Sequence, residues 1–320
     1  MADHVAAGAS SPRGTKAPQR PGDRVFSGSA RGAGIFILVI LAAVSAFLLL
    51  EGYPALVADP ADIGLLDGAT FVEWVGPLVF GTLWAATIAL IFAFPLAIGI
   101  ALFISHYAPR RIAAPLGYLI DLLAAVPSVV YGLWGGTVLA PAMQPLYTWL
   151  AENLSFIPLF AGPASGTGRT ILTAAIVLAV MVLPIITAVS REVFLQTPKL
   201  YEEASLALGS TRWEMIRDVV LPVGRGGIIS AAMLGLGRAL GETLAVAMVL
   251  SATGVITVNL ISSVNPSTIA ANVALSFPEA YGLNVNALIA SGLILFAITL
   301  VVNSIARWII ERRADFSGAN

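Results

Sequence analysis

The chain has 320 residues, of which 58% are hydrophobic and 11% charged, with mean hydropathy +0.90 and a formal net charge of −1. Soluble domains carry about 25% charged residues, so long apolar runs in this chain belong in lipid. It has no cysteine and only two histidines, His4 and His106; this excludes disulfides, thiolate chemistry and Cys- or His-ligated metal centres, and no cofactor is expected.

Residues 1–33 are rich in Ala, Gly, Ser, Pro and Arg without an apolar period, which predicts a disordered basic tail. A first span covers roughly 34–50. No small-x-small cleavage pattern follows Leu50, so this span is expected to stay in the mature chain. The link 51–75 is acidic, with Glu51, Asp59, Asp62, Asp67 and Glu73 and no basic residue. Region 76–310 then holds five further spans, at roughly 76–105, 113–139, 170–190, 226–250 and 285–310, and 311–320 forms a short tail. The expected fold is therefore an all-α membrane protein with six transmembrane helices.

Within the second to fourth spans, Pro95, Pro127 and Pro184 each remove a helical hydrogen bond. Asp121 precedes Pro127 by six residues; it either faces a cavity, is protonated, or bonds a neighbouring helix. Ser128 either donates to a substrate or satisfies the carbonyl freed by the proline. His106 and Tyr107, with Trp308, are expected as anchors at one membrane surface, and Trp74 and Trp149 at the other.

Lysine and arginine fall almost entirely on one side of this topology. Fifteen of the seventeen lie in the N-terminal tail, in the 2–3 and 4–5 links and at the C-terminal end. The positive-inside rule then places both termini and the 191–225 link in the cytoplasm.

That link contains TPKLYEEASLALGSTRWEMIRDVVLP. Thr197 and Pro198 read as N-cap and first helical residue, Gly209 as a left-handed stop, and Thr211 with Glu214 as a capping box. Two short amphipathic helices hinged at Gly209 are predicted. Their mixed charge (Glu202, Glu203, Arg212, Asp218) fits docking on another protein better than a membrane surface.

The run Glu203-Ala204-Ser205, with Gly209 four residues on and Val219-Val220-Leu221-Pro222 beyond, closely resembles the "EAA" loop of ABC importer permeases. Ser205 stands for Ala and Val219 for Ile. The resemblance implies that Glu203, Ala204, Ser205, Gly209, Leu221 and Pro222 belong to a coupling helix that docks in a cleft of a separate ATPase. The chain cannot be its own motor. Its two lysines follow Thr15 and Pro198, so it has no Gly-Lys-Ser/Thr phosphate loop.

Between Gly226 and Pro278 the only charged residues are Arg238 and Glu242. On a continuous helix they lie one turn apart on one face, with Arg238 about 15 Å into a core of roughly 30 Å. Such charges persist only if paired or facing water. One reading is a neutral staple. The other is a lining of the translocation path, with the guanidinium fork gripping an oxyanion and the carboxylate competing for it. GLGRALG does not match a dinucleotide fingerprint, because its last gap has three residues; Gly237-x3-Gly241 suits close helix packing.

GLGRALGET, together with AAVPSVVYGLWG at Ala124–Gly135, resembles phosphate ABC transporter permeases of the PstC type over about residues 76–310. The resemblance implies the MetI-like permease fold, a non-enzymatic transport subunit in a bacterial cell membrane, and phosphate as substrate. It also implies a second, PstA-type permease, an ATPase pair and an extracytoplasmic phosphate-binding protein as partners. The residues themselves say only that an oxyanion is plausible, so sulfate, molybdate and phosphonate stay open. A proton-coupled transporter using Glu242 or Asp121, or a non-transporting scaffold, also fits the bare pattern. Arg238, Glu242, Asp121 and Ser128 are the candidate path residues.

Overall fold

In a computed structural model, residues 21–314 are described. Residues up to Phe47 form one unit and Leu48–Asn320 a second. Helix α1, Pro21–Val57, starts 13 residues ahead of the expected span. Proline is at home in a first helical turn, where its missing N–H would have no partner. Residues 1–20 of the expected tail lie outside the described residues. The part of α1 in the first unit is exposed along its length.

The second unit is helical, with no strand among its described residues. It comprises α2 (Phe71–Leu102), α3 (Arg110–Ala124), α4 (Ser128–Trp134), α5 (Ala140–Asn153), α6 (Ile171–Leu195), α7 (Lys199–Ala207), α8 (Arg212–Met215), α9 (Leu221–Leu240), α10 (Leu244–Val249), α11 (Ile269–Ser276) and α12 (Leu283–Ala314). Five helical stretches are long and apolar enough to cross a membrane, and a sixth span results if one bent pair counts as one.

That bent pair corrects the expected continuous span 113–139. α3 and the α4–α5 stretch meet at 87°. Pro127 causes the break: it has no N–H to donate, and it pushes Val126 away from helical backbone. α3 closes with tight bonds from Ala125 to Leu122 O and from Val126 to Leu123 O. Pro95 and Pro184, by contrast, sit inside the continuous helices α2 and α6.

Helix α6 packs between α2 and α9. On α2, Ala85, Ala89, Ala93, Ala97 and Ala101 recur every fourth residue, each no more than 1% exposed. On α9, Gly224, Gly227, Ala231, Gly235 and Ala239 form the matching small-residue stripe. A Cβ on Gly235 would come within 2.6 Å of Ile186 Cδ1 on α6. In lipid there is no hydrophobic gain from burying one apolar helix against another, so close backbone approach through small residues drives the association.

The end that carries α7 has its own core of Ala101, Leu102, Phe194, Met215, Ile216 and Val220. At the other end, the acidic link folds over Ala55, Ile63, Leu66 and Ala287, and Thr70 and Glu73 form a reciprocal capping box. The segment 250–268 also lies at this end and is ordered without being helical. Asn265 is fully buried: its Oδ1 accepts from Ile171 N (3.0 Å), and its Nδ2 donates to Ser251 O (3.1 Å) and Ser262 O (3.0 Å). Non-helical backbone at this depth is tolerated only where such groups satisfy it.

Candidate functional site

The fifth span is not continuous to residue 250. α9 stops at Leu240, and Gly241 closes it by donating to Gly237 O (3.3 Å). α10 begins at Leu244. Arg238 and Glu242 therefore flank a helix break and do not face each other across one turn. No ion pair joins them, which corrects the expected salt-bridge geometry. Each charge is answered by a different helix end. Arg238 lies in the last turn of α9, where the carbonyl ends of the helix favour a cation. Glu242, 9% exposed, accepts from Ala245 N at 3.1 Å and so caps α10 at the end that favours an anion.

The guanidinium is left incompletely satisfied. Arg238 is half-buried, and its Nε is buried without a hydrogen-bond partner. Its charge acts electrostatically on Tyr131 of α4. Tyr131 Oη donates to Leu123 O at 2.9 Å. Tyrosine thus takes the carbonyl freed by the proline break, the role expected of Ser128. Ser128 opens α4, half-buried and without a hydrogen bond. The sequence reading missed Tyr131; its signal was a lone phenol four residues after a mid-span proline.

The two breaks are brought together because α4 and α10 pack face to face. A Cβ on Gly132 would stand 2.7 Å from Ala245 Cα, and one on Gly136 3.0 Å from Met248 O. Arg238, Tyr131, Glu242 and the α4 start at Ser128 thus form one neighbourhood. Asp121 does not join it: it is exposed on α3 with no ion pair or hydrogen bond. Beside this neighbourhood, an apolar groove of about 540 Å³ runs between α2 and α9, lined by Leu90, Phe94, Ala232 and Leu236.

The residues expected in a coupling loop fall at the opposite end of α9. α7 ends in Gly209, whose φ of +92° is the left-handed conformation glycine adopts without strain. Thr211 and Glu214 make the predicted capping box, Glu214 Oε2 accepting from Thr211 N (2.7 Å) and Thr211 Oγ1 from Glu214 N (3.3 Å). Two details differ from expectation. Pro198 is the N-cap of α7, and Thr197 does not cap it. The second amphipathic helix is not separate: α8 passes through a π-turn at Ile216–Val220 into α9, giving one rod from Arg212 to Leu240. Leu221 and Pro222 lie inside this rod, and Leu221 packs on the core at this end. Glu203 and Ala204 are exposed and Ser205 is half-buried. Leu200, Tyr201, Leu206, Leu208 and Trp213 leave large apolar side chains exposed on the same loop. His106, expected as a membrane-surface anchor, is half-buried, with Nε2 3.6 Å from Glu202 Oε1 of α7.

The profile of the family described as "binding-protein-dependent transport system inner membrane component" matches residues 93–315. Phosphate transport system permease protein PstC 2 of Mycobacterium tuberculosis is 44% identical over 300 residues, covering 91% of this chain and 92% of the relative. PstC of Mycobacterium leprae is 43% identical over 311 residues, covering 92% and 94%. Among solved structures, a chain of a bacterial ABC transporter involved in the import of the acidic polysaccharide alginate superposes with TM-score 0.60. That match has 15% identity and covers 91% of this chain and 96% of the other. A chain of the MetNI methionine ABC transporter in an inward-facing conformation gives TM-score 0.50, with 16% identity and 76% and 95% coverage. These distant likenesses establish the fold alone.

Proposed function

The chain belongs to the binding-protein-dependent transport system inner membrane components, among the PstC-type phosphate permeases, and from this membership we propose that it forms half of the membrane path of an ATP-driven inorganic phosphate importer. The observation that carries the substrate is the kinship of 43–44% over nine-tenths of the chain with phosphate permeases. ATP hydrolysis belongs to a partner ATPase pair, which docks on the exposed loop around Glu203–Gly209. A PstA-type permease completes the path, and an extracytoplasmic binding protein delivers phosphate. Both termini and α7 face the cytoplasm, a reading supported by the distribution of Lys and Arg.

In this reading Arg238 meets the anion. Its fork matches a phosphate oxyanion, and the unpartnered Nε leaves donor capacity free in a low-dielectric setting. Glu242 need not release the arginine first, because its carboxylate is engaged in capping α10. The rod from Arg212 to Leu240 has 29 residues, roughly 43 Å at 1.5 Å per residue. It runs from the docking loop to Arg238, so a push on α8 is felt at the arginine. Coupling requires only that the loop's contacts with the motor differ between the two open states.

The test is ATP-driven uptake of labelled phosphate by the complete importer in proteoliposomes, challenged with sulfate, molybdate and a phosphonate. Competition by unlabelled phosphate alone supports the reading. Preferential competition by another oxyanion reassigns the substrate. Uptake that persists without the ATPase and collapses with the proton gradient overturns the mechanism.

A further inference from the structure

Among the described residues, two arginines have an Nε that is buried without a hydrogen-bond partner: Arg238 and Arg191. Arg191 stands on α6, toward the end that leads into the 191–225 link. An arginine that merely follows the basic bias of one membrane side stretches its head group into water. The Arg191 side chain is only 19% exposed. It lies against α3, where a Cβ on Gly117 would collide with its Nη1.

The helices place the two arginines in series. α6 and α9 run antiparallel, since Gly235 meets Ile186 and Gly227 meets Val193. Arg191 lies five residues past Ile186 in one direction, and Arg238 three past Gly235 in the other, so the two stand about 12 Å apart along the bundle. α3 links the same two levels. From Gly117, beneath Arg191, it climbs six residues, about 9 Å, to Leu123. The carbonyl of Leu123 takes the hydroxyl of Tyr131, which feels the charge of Arg238.

The Arg191 guanidinium is loosely engaged. Its Nη2 donates to Glu192 Oε1 at 2.8 Å. Adjacent residues on a helix point in different directions, and the Glu192 side chain is 59% exposed, so water competes for this pair and it holds the arginine weakly. Among the described residues no other carboxylate is within ion-pair distance of Arg191. Asp121, one turn beyond Gly117 on α3, is out of its reach. α3 opens with Arg110 and Arg111, so the approach to Arg191 from this end is basic.

We propose that Arg191 is a second anion station, a low-affinity release site that takes inorganic phosphate after Arg238 and yields it to the cytoplasm. The free Nε and the neighbouring Nη group offer the fork that matches a phosphate oxyanion. Glu192 is the competitor. Its carboxylate takes the guanidinium back as the anion leaves, which keeps the site weak enough to empty, as conduction requires. This inference rests on the phosphate-import reading above and on its placement of the 191–225 link in the cytoplasm.

The experiment uses the complete importer in proteoliposomes loaded with ATP and graded amounts of phosphate. It measures the interior phosphate concentration that halves uptake of labelled phosphate. Inhibition of the ATPase by phosphate is common to all variants, so the shift between variants is the readout. Arg191→Gln should raise the half-inhibiting concentration about tenfold, the loss of a charge-assisted hydrogen bond. Glu192→Gln should lower it about two- to fivefold, because the competing carboxylate is gone. A purely structural salt bridge predicts otherwise: removing either partner breaks the same pair, and both variants move together. Arg191→Lys, which keeps the charge and loses the fork, replaces Arg191→Gln if that variant does not assemble, and should shift the value the same way. Opposite shifts support the proposal, and any other pattern overturns it. Lipid headgroups are the other source of a phosphoryl group, so vesicles are made with and without phosphatidylglycerol. A half-inhibiting concentration that rises with the anionic lipid in wild type but not in Arg191→Gln gives the site to a headgroup and overturns the proposal. If wild type takes up no phosphate, the functional reading has failed. The inference is then judged on the rise in Tm of the complex with phosphate at constant ionic strength. Arg191→Gln must show a smaller rise than wild type and Glu192→Gln a larger one; any other order refutes it.

Discussion

Two spans of this bundle are broken, and by different means. Between α3 and α4 the covalent structure of Pro127 compels the break, and a neutral hydroxyl on Tyr131 takes the freed carbonyl. Between α9 and α10 no proline intervenes. There the chain stops at Gly241, and a cation and an anion sit at the two helix ends, each favoured by its local dipole. The first break shapes the backbone; the second also leaves a charged donor with an unused bond. Charge is thus concentrated where the interruption is made by side chains.

Four substitutions probe this contrast, in descending expected effect. Arg238→Lys keeps the charge but loses the fork. Phosphate uptake should fall roughly 10- to 100-fold, the equivalent of one charged hydrogen bond of about 1.5–3 kcal/mol, with complex yield unchanged; wild-type uptake would make the second break as inert as the first. Gly132→Val forces α4 from α10 and should destabilise the complex by about 1–3 kcal/mol, read as a lower Tm. An unchanged Tm would mean the two breaks are not held together. Tyr131→Phe removes one donor to Leu123 O and leaves the weaker bond from Val126 N, at about 0.5–1.5 kcal/mol. A loss of uptake far larger than the loss of Tm would move the proline break into the chemistry. Glu242→Gln retains an acceptor for Ala245 N and removes the charge, with an expected change of about 0.3–1 kcal/mol. A collapse of uptake in that variant would show that the carboxylate contests the arginine after all.

The spans and the helix ends of the 191–225 link were legible because their signals are local. Hydropathy marks lipid, and Gly209 and the Thr211–Glu214 box mark helix ends in a few residues. The stop after Leu240 was not legible, because apolar residues continue on both sides and Arg238 and Glu242 carry the spacing of a helical pair. Hydropathy reports the solvent, not whether the backbone is coiled. Segment 250–268 escaped for a related reason: Asn265 replaces the helix's own bonds, and its partners Ser251, Ile171 and Arg169 lie 14, 94 and 96 residues away. Tyr131 lay in plain sight, but its acceptor, Leu123 O, is exposed only by the proline break.

The π-turn at Ile216–Val220 has a consequence for the rod it interrupts. Leu221 N reaches back five residues to Ile216 O, one more than an α-helix uses. Each residue of an α-helix advances the azimuth by about 100°. The surplus residue therefore acts as a phase setter: it decides which way Arg238 points for a given seating of α7. Excising it would leave both ends chemically intact and aim the guanidinium at a different neighbour.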